Sequence, residues 1–354
     1  MKKVAVIAIS MILLAALTGL AYFFIVPQKT TTIANEPARS PAPELKSFRG
    51  VLADVLNEVK EEVVEIKQEI AEAIPNPFSD NPPSGENNLT FAILGDTQSF
   101  KTGNPRGSFQ KAIARIREKN PDLVIAVGYL TNGCESKNEC TRELTDWKNI
   151  TGNLFEKTYA VQGNNDAEDD SNDGIWQNTF NFPANGPEDF SEFTYSLDVK
   201  NSHFVFLSSD RPEERKINSS QRNWLEQDLA KNKKENVFVV FHEPAYPVSN
   251  KMGESLDTNP SDRNALWQIL KKYNVTAVFN GHEHIVSRRK VGKIYQFVFG
   301  STDSFDHGLP AAGVAEYASL GQGRYGIVKV NGKEITVETR GPDGKIFDTF
   351  TFSK

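Results

Sequence analysis

Cysteine is scarce in this chain: Cys134 and Cys140 are the only two in 354 residues. Two cysteines exclude a disulfide-built scaffold and a four-cysteine zinc ribbon. They also leave none near the N-terminus for lipid attachment. Basic charge is not in excess either. The net charge is −6 and no Lys/Arg run exceeds a few residues, so no nucleic-acid surface is expected. Histidine is limited to five residues, and their placement is the first positive signal.

His282 and His284 stand one residue apart in Gly281-His282-Glu283-His284, directly after the apolar run Val275 to Phe279. That run is β-branched and aromatic without interior Gly or Pro, and reads as a buried strand. The Gly lets the chain turn, so the imidazoles project past the strand end, where ligands bind in open α/β sheets. His242 likewise follows an apolar run, Asn236 to Phe241. Three of five histidines at strand ends point to a metal site. His203 opens a strand and is read as structural, whereas His307, in a polar loop, is a candidate substrate contact.

Met1-Lys2-Lys3 is followed by 23 uncharged, mostly apolar residues from Val4 to Val26. At ~1.5 Å per residue such a helix crosses a hydrocarbon core of ~30 Å. The run is longer than the core of a cleaved signal peptide and ends in Tyr22-Phe23-Phe24-Ile25-Val26-Pro27, a poor cleavage context. An uncleaved signal anchor over 4–26 is expected, with 1–3 cytoplasmic and the rest of the chain extracytoplasmic; cleavage and secretion are the alternative. Residues 27–43 form a Thr/Ala/Pro/Ser tether. In 44–74, Phe48, Leu52, Val55, Val59, Val63, Ile66, Ile70 and Ala73 recur at spacings of three and four. This predicts an amphipathic helix with three possible uses: a self-associating stalk, a membrane-surface helix, or a strut against the globular domain. Residues 75–88 form a second linker after Pro75.

From Leu89 to the C-terminus strands and helices alternate, which predicts an α/β domain over 89–354. Strands are expected at Leu89 to Leu94, Asp122 to Val127, Thr158 to Val161, Phe193 to Val199 and His203 to Ser208, besides the two histidine-bearing runs. Helices are expected at Ser108 to Lys119, Trp147 to Glu156 and Ser219 to Lys231. Turns at Asn331-Gly332 and Asp343-Gly344 predict antiparallel strands closing one sheet. The Asp169-x-Ser171-x-Asp173-Gly174 stretch lacks the twelfth-position glutamate of a calcium loop and is read as a polar loop. Cys134 and Cys140 are expected to form a short local disulfide outside the membrane.

Five strands are each followed at once by a polar, mostly Gly-led sequence. These are Gly95-Asp96-Thr97-Gln98, Gly128-Tyr129-Leu130-Thr131-Asn132-Gly133, Gly163-Asn164-Asn165-Asp166, His242-Glu243-Pro244 and Gly281-His282-Glu283-His284. Carboxylate, amide and imidazole donors together suit borderline divalent metals such as Zn, Mn or Fe. The order and spacing resemble the calcineurin-like metallophosphoesterase superfamily, which includes purple acid phosphatases. The resemblance implies a four-layer α/β sandwich of two mixed β-sheets flanked by helices, with metals at the strand ends. It places Asp96, His284 and, where the family has histidine, Gln98 at a first metal position. It places Asn164, His242 and His282 at a second. Two-metal hydrolysis of a phosphoric ester is the chemistry it implies.

Three positions depart from the family pattern. Besides Gln98, Tyr129 replaces the aspartate that bridges the metals, and Asn165 replaces the histidine that assists the leaving group. A neutral phenol is a poor bridge, and an amide cannot be a general acid. Of the mapped ligands only Asp96 is anionic, against four positive charges on two divalent ions, so a single ion at Asn164/His242/His282 is expected. Asn165 and Asp166 are the candidate catalytic residues, and the acidic run Asp166, Glu168, Asp169, Asp170 and Asp173 is read as a solvated loop. Two functions follow: a membrane-anchored phosphoesterase acting on a phosphorylated small molecule or other phosphoester, or a binding or scaffold protein that has lost catalysis on the same fold.

Overall fold

The computed structural model describes residues 88–354 apart from 99–106, 135, 169, 304–307 and 312. The expected anchor at 4–26, the tether, the helix at 44–74 with its self-association surface, and His307 lie outside the described residues. Among the described residues no helix is long and apolar enough to cross a membrane.

Two mixed sheets stack face to face. In the first, the order β13-β12-β11-β1-β2-β3 places β1 (Asn88–Leu94) at the centre. It runs parallel to β2 (Leu123–Ala126), which is parallel to β3 (Thr158–Ala160). The C-terminal strands β11 (Tyr325–Asn331), β12 (Glu334–Arg340) and β13 (Ile346–Ser353) complete it antiparallel. This is the closure that the two Gly turns predict. In the second sheet, β5 (Ser202–Phe206), β6 (Asn236–Val240), β7 (Ala277–Asn280) and β9 (Ile294–Phe299) run parallel. Antiparallel β4 (Tyr195–Val199), β8 (Val286–Val291) and β10 (Tyr317–Ser319) flank them.

The strand period of two sorts the side chains between layers. From β5, β6 and β7, Phe204, Phe206, Phe238, Val240, Ala277 and Phe279 enter the core between the sheets. The intervening Val205, Val237, Val239 and Val278 face outward. Phe91 of β1 is the keystone between the sheets, meeting Phe204 and Phe238 edge-on at 5.2 Å and Phe279 at 5.8 Å. On the outer face of the second sheet, α4 (Ser219–Lys231) supplies Leu225 and Leu229, and α5 (Pro260–Lys272) supplies Leu266, Trp267 and Leu270. The first sheet is covered by α1 (Gly107–Lys119), through Phe109, Ala112, Ile113 and Ile116, and by α2 (Lys137–Thr151), through Leu144 and Trp147. The result is the expected four-layer sandwich.

Several boundaries differ from the sequence reading. Helix α2 begins ten residues before Trp147, because the Ser136 side chain caps it by accepting from the Glu139 amide at 3.3 Å. The residues expected to continue it to Glu156 tighten into a 3₁₀ turn, Gly152–Lys157. A short helix α3 (Asp173–Thr179) takes up the Asp173-Gly174 end of the acidic run. Asn88 belongs to β1 rather than to the linker. Helix α5 and strands β8 to β10 are additions to the expected pattern. Cys134 and Cys140 form the expected local disulfide.

His203 serves the fold, as its strand-opening position predicts. Asp198 Oδ1 lies 2.7 Å from its Nδ1 and Asp228 Oδ2 lies 2.8 Å from its Nε2. Burial opposes the imidazolium, but hydrogen bonds and charges from both carboxylates outweigh it and lift the pKa to about 9. A pKa raised on folding adds stability that is complete below the unfolded value of ~6.5 and disappears as pH rises through the folded value. Between pH 7 and pH 10 urea unfolding is therefore expected to show a loss of about 2 kcal/mol, discounted for solvent around Asp198. His203→Gln should remove that component of the pH slope; an unchanged slope would contradict the assignment.

Candidate metal centre

Parallel strands deliver their C-terminal ends to one edge, and the five polar loops meet there. Asp96, Tyr129, His282 and His284 all take left-handed backbone conformations, with φ of 53°, 55°, 69° and 50°. Such angles cost non-glycine residues about 1–3 kcal/mol each and gather at functional sites. Glycine permits the close approach of the loops. A Cβ on Gly281 would lie 2.7 Å from Asp96 Oδ1 and 2.7 Å from the Val127 carbonyl oxygen. A Cβ on Gly163 would lie 2.6 Å from the Tyr129 ring and 2.7 Å from His242 Nε2.

Hydrogen bonds fix which ring nitrogen of each histidine is left for a ligand. His242 Nδ1 donates to the Val127 carbonyl at 2.7 Å, so Nε2 keeps its lone pair, and it is buried without a partner. His282 Nε2 donates to the Glu254 carbonyl at 3.0 Å, which leaves Nδ1 in the same condition. Asn164 Oδ1 is a third buried acceptor with no partner. These are the atoms expected at the second metal position. At the first position Asp96 Oδ2 and Gln98 Oε1 are likewise buried without hydrogen-bond donors. His284 Nε2 stands 3.7 Å from Asp96 Oδ2 and 3.5 Å from Gln98 Nε2.

A buried acceptor without a donor costs about 1–3 kcal/mol, and five in one place call for a common occupant. All are acceptors, so a cation fits and an anion does not. Among the described residues no three His, Cys, Asp or Glu side chains converge as a metal-binding group. Each position instead completes its set with an amide, Gln98 or Asn164. Two neutral imidazoles with an amide oxygen, and a carboxylate with imidazole and amide, remain suitable donors for a borderline divalent ion.

The electrostatics agree with that reading. Burial brings the His242 pKa down to about 3 against the Val127 hydrogen bond, and the Lys251 ammonium depresses it further. Burial, the neighbouring His242 and Lys251 hold His282 well below the usual histidine range. Both rings are therefore neutral, the form that binds metal. Burial raises Asp96 well above the usual carboxylate range despite backbone N–H bonds from His282 and His284, so its carboxylate lacks a counter-charge.

Tyr129 lies where the missing bridge would stand. Its ring centroid is 4.3 Å from that of His242, 5.6 Å from His284 and 6.1 Å from His282. Burial, reinforced by the Asp96 charge, pushes the phenol far above its ordinary pKa. It is a neutral wedge between the two donor sets.

Asp166 positions two of the loops. Its carboxylate accepts from the backbone N–H of Leu130 at 3.0 Å, of Thr131 at 2.8 Å and of Gly163 at 2.9 Å, and from the Thr131 hydroxyl at 2.7 Å. It fastens the Tyr129 loop to the Asn164 loop and is buried, unlike the solvated loop expected for the acidic run. Asn165 is half-buried, with its Oδ1 3.5 Å from Asn164 Nδ2. Beside the mapped ligands stand further buried carboxyls that no motif marks. Burial and the neighbouring Asp210 raise the pKa of Glu243, and Glu243 Oε1 is 4.0 Å from His282 Nε2. Glu283 accepts from the Val248 and Ser249 amides at 2.7 and 2.6 Å. Only Glu243 and Glu283, each beside a site histidine, carried any signal in sequence.

The calcineurin-like phosphoesterase family model matches residues 89–286. Purple acid phosphatase 21 of Arabidopsis thaliana is 32% identical over 231 residues, which is 60% of this chain and 48% of that protein. Purple acid phosphatase 15 of the same plant is 25% identical over 215 residues, covering 52% and 38%. The chain thus spans about half or less of the length of these relatives. Among solved structures, a purple acid phosphatase from yellow lupin (Lupinus luteus) seeds superposes with a TM-score of 0.63 at 15% identity, covering 75% of this chain and 54% of that one. That likeness concerns the fold. The family match covers more than half of the chain, and the protein belongs to the calcineurin-like phosphoesterase family.

Proposed function

We propose that the protein is a metal-dependent phosphoesterase with a modified site, hydrolysing a phosphomonoester or phosphodiester on the extracytoplasmic side of a membrane. The observation that carries this reading is the trio Asn164 Oδ1, His242 Nε2 and His282 Nδ1, three buried acceptors left without partners. They would hold a divalent ion of the Zn, Mn or Fe class, while Asp96, Gln98 and His284 offer a second, weaker position. When bound, the ion supplies Lewis-acid stabilisation of phosphoryl charge and activation of water. The chain's own residues do the positioning. The Val127 and Glu254 carbonyls set the tautomers of His242 and His282, and Asp166 holds the Asn164 loop in place.

A binding or scaffold role is the second reading, and the Tyr129 ring favours it by filling the space between the donor sets. The cysteine pair in a disulfide supports an oxidising, extracytoplasmic location. The uncharged run at 4–26 behind Lys2 and Lys3 supports an N-in anchor.

Three outcomes are expected. His282→Ala should lower bound metal, measured by elemental analysis after purification without chelator, while the circular dichroism stays that of the parent; undiminished metal would place the site elsewhere. Tyr129→Asp should raise metal stoichiometry from about one towards two and accelerate hydrolysis of an aryl phosphate, and adding Asn165→His should contribute up to about 10²–10⁴-fold more through a general acid. A folded double variant that gains neither metal nor rate would favour the scaffold reading. Finally, a reporter active only in the cytoplasm, fused after Lys354, should be silent, and strong signal from it would overturn the topology.

A further inference from the structure

Two cationic side chains outside the donor sets are linked to His282, Arg215 through Glu243 and Lys251 through Glu254. Arg215 lies in the loop between β5 and α4, and Lys251 in the loop between β6 and α5. The two loops are tied to one another, since Asn259 Nδ2 donates to the Arg215 carbonyl at 3.1 Å. Both are also tied to the metal strand. The Lys251 loop is fastened by Glu283, which accepts from Val248 and Ser249, and by the His282 bond to the Glu254 carbonyl. Arg215 Nε faces Glu243 Oε1, which in turn faces His282 Nε2, each step being 4.0 Å.

The state of Arg215 points to a ligand. Its Nε is buried and has no hydrogen-bond partner. The carboxyl it faces, at 4.0 Å, is too distant to accept a hydrogen bond. Arg215 also holds a left-handed backbone angle of φ 60°, which fixes where its side chain departs. The side chain is 37% exposed and its ion pair with Glu243 is 4.0 Å long, so the guanidinium is open to the shorter charge-assisted bond that arginine forms most strongly with phosphate or carboxylate. Lys251 reaches the same region through Glu254, whose backbone carbonyl accepts from His282 Nε2 at 3.0 Å. Its ammonium is 2.8 Å from Glu254 Oε2, but that glutamate side chain is 50% exposed, and exposed pairs exchange for under ~1 kcal/mol.

We propose that Arg215 and Lys251 form an anion subsite beside His282, and that the substrate is a phosphoester carrying a second phosphate group. This deepens the phosphoesterase reading and rests on it for the place of the first phosphate. A divalent ion held by the metal donors would receive the ester to be cleaved, while the guanidinium fork and the ammonium receive the second phosphate. A phosphate matches the pair better than a carboxylate because it offers three oxygens and a higher charge to two separate cations.

The test uses the full chain and two non-reacting probes, methylenediphosphonate and inorganic phosphate, titrated calorimetrically with metal content determined in parallel. The parent should bind the diphosphonate about tenfold more tightly than phosphate. Arg215→Gln and Lys251→Gln should each erode that preference several-fold, and the double variant should abolish it, with phosphate affinity, metal content and thermal midpoint unchanged. If Arg215→Gln does not fold, Lys251→Gln alone decides the question. A parent without preference overturns the subsite. A preference that survives both substitutions is chelation by site metal and overturns it as well. Repeating the titration on protein stripped of metal separates the two readings. Phosphate binding that persists there and is lost in the variants upholds the subsite even where the protein proves unable to hydrolyse phosphoesters; stripped protein that binds neither probe overturns it. Metal uptake and hydrolysis without any preference remove the subsite alone.

Discussion

The site depends on one hydrogen bond between sheets, from His242 Nδ1 to the Val127 carbonyl. Val127 continues β2 of the first sheet, and His242 follows β6 of the second. Without that bond the two sheets could slide in their apolar contact, which is non-directional and sets no register. The bond holds the strand ends level and also fixes the His242 tautomer. Other bonds reinforce it, among them the His282 amide on Asp96 Oδ1 at 3.2 Å and the Asp303 amide on the Asp96 carbonyl at 3.0 Å. The donors therefore come from both sheets and meet only while the sandwich is assembled.

Around that contact the structure concentrates groups that are costly to bury. Left-handed backbone at four site residues, acceptors without donors and the Asp210–Glu243 carboxyl pair all lie at the same edge. The sandwich tolerates this because its core is large and aromatic, with Phe91 packed among Phe204, Phe238 and Phe279. Burying each such ring contributes about 1.5–3 kcal/mol relative to exposure. Strain held by a rigid scaffold at a ligand site is a form of preorganisation. Tyr129 departs from a purely ligand-binding design, since a neutral ring offers a cation less than a carboxylate would.

The helices and strands with strong periodicity were legible in advance. Helix α4 matches its expected span, and β1, β5, β6 and β7 lie within a few residues of theirs. Helix α5 has its own apolar positions at Leu266, Trp267 and Leu270, and Pro260 at its start. Strand β8 mixes charged and apolar residues and β10 is only three residues long, so their pairing comes from neighbours rather than from their own pattern.

The sequence by itself determined the family, the parallel strands and the histidines at their ends, because strand period and Gly-led turns are local properties. It also marked Tyr129 and Asn165 as departures, since a motif position is read one residue at a time. Only the tertiary structure decided what the loops do with their side chains. Asp166 lies in a polar run in sequence, yet it turns inward to collect two backbone amides and a hydroxyl from the Tyr129 loop and one amide from its own. Arg215 and Lys251 are 36 residues apart in the chain, and become neighbours of one histidine through bonds such as that of Asn259 to Arg215. Such contacts join residues distant in sequence, and no periodicity records them because the partners are chosen by packing.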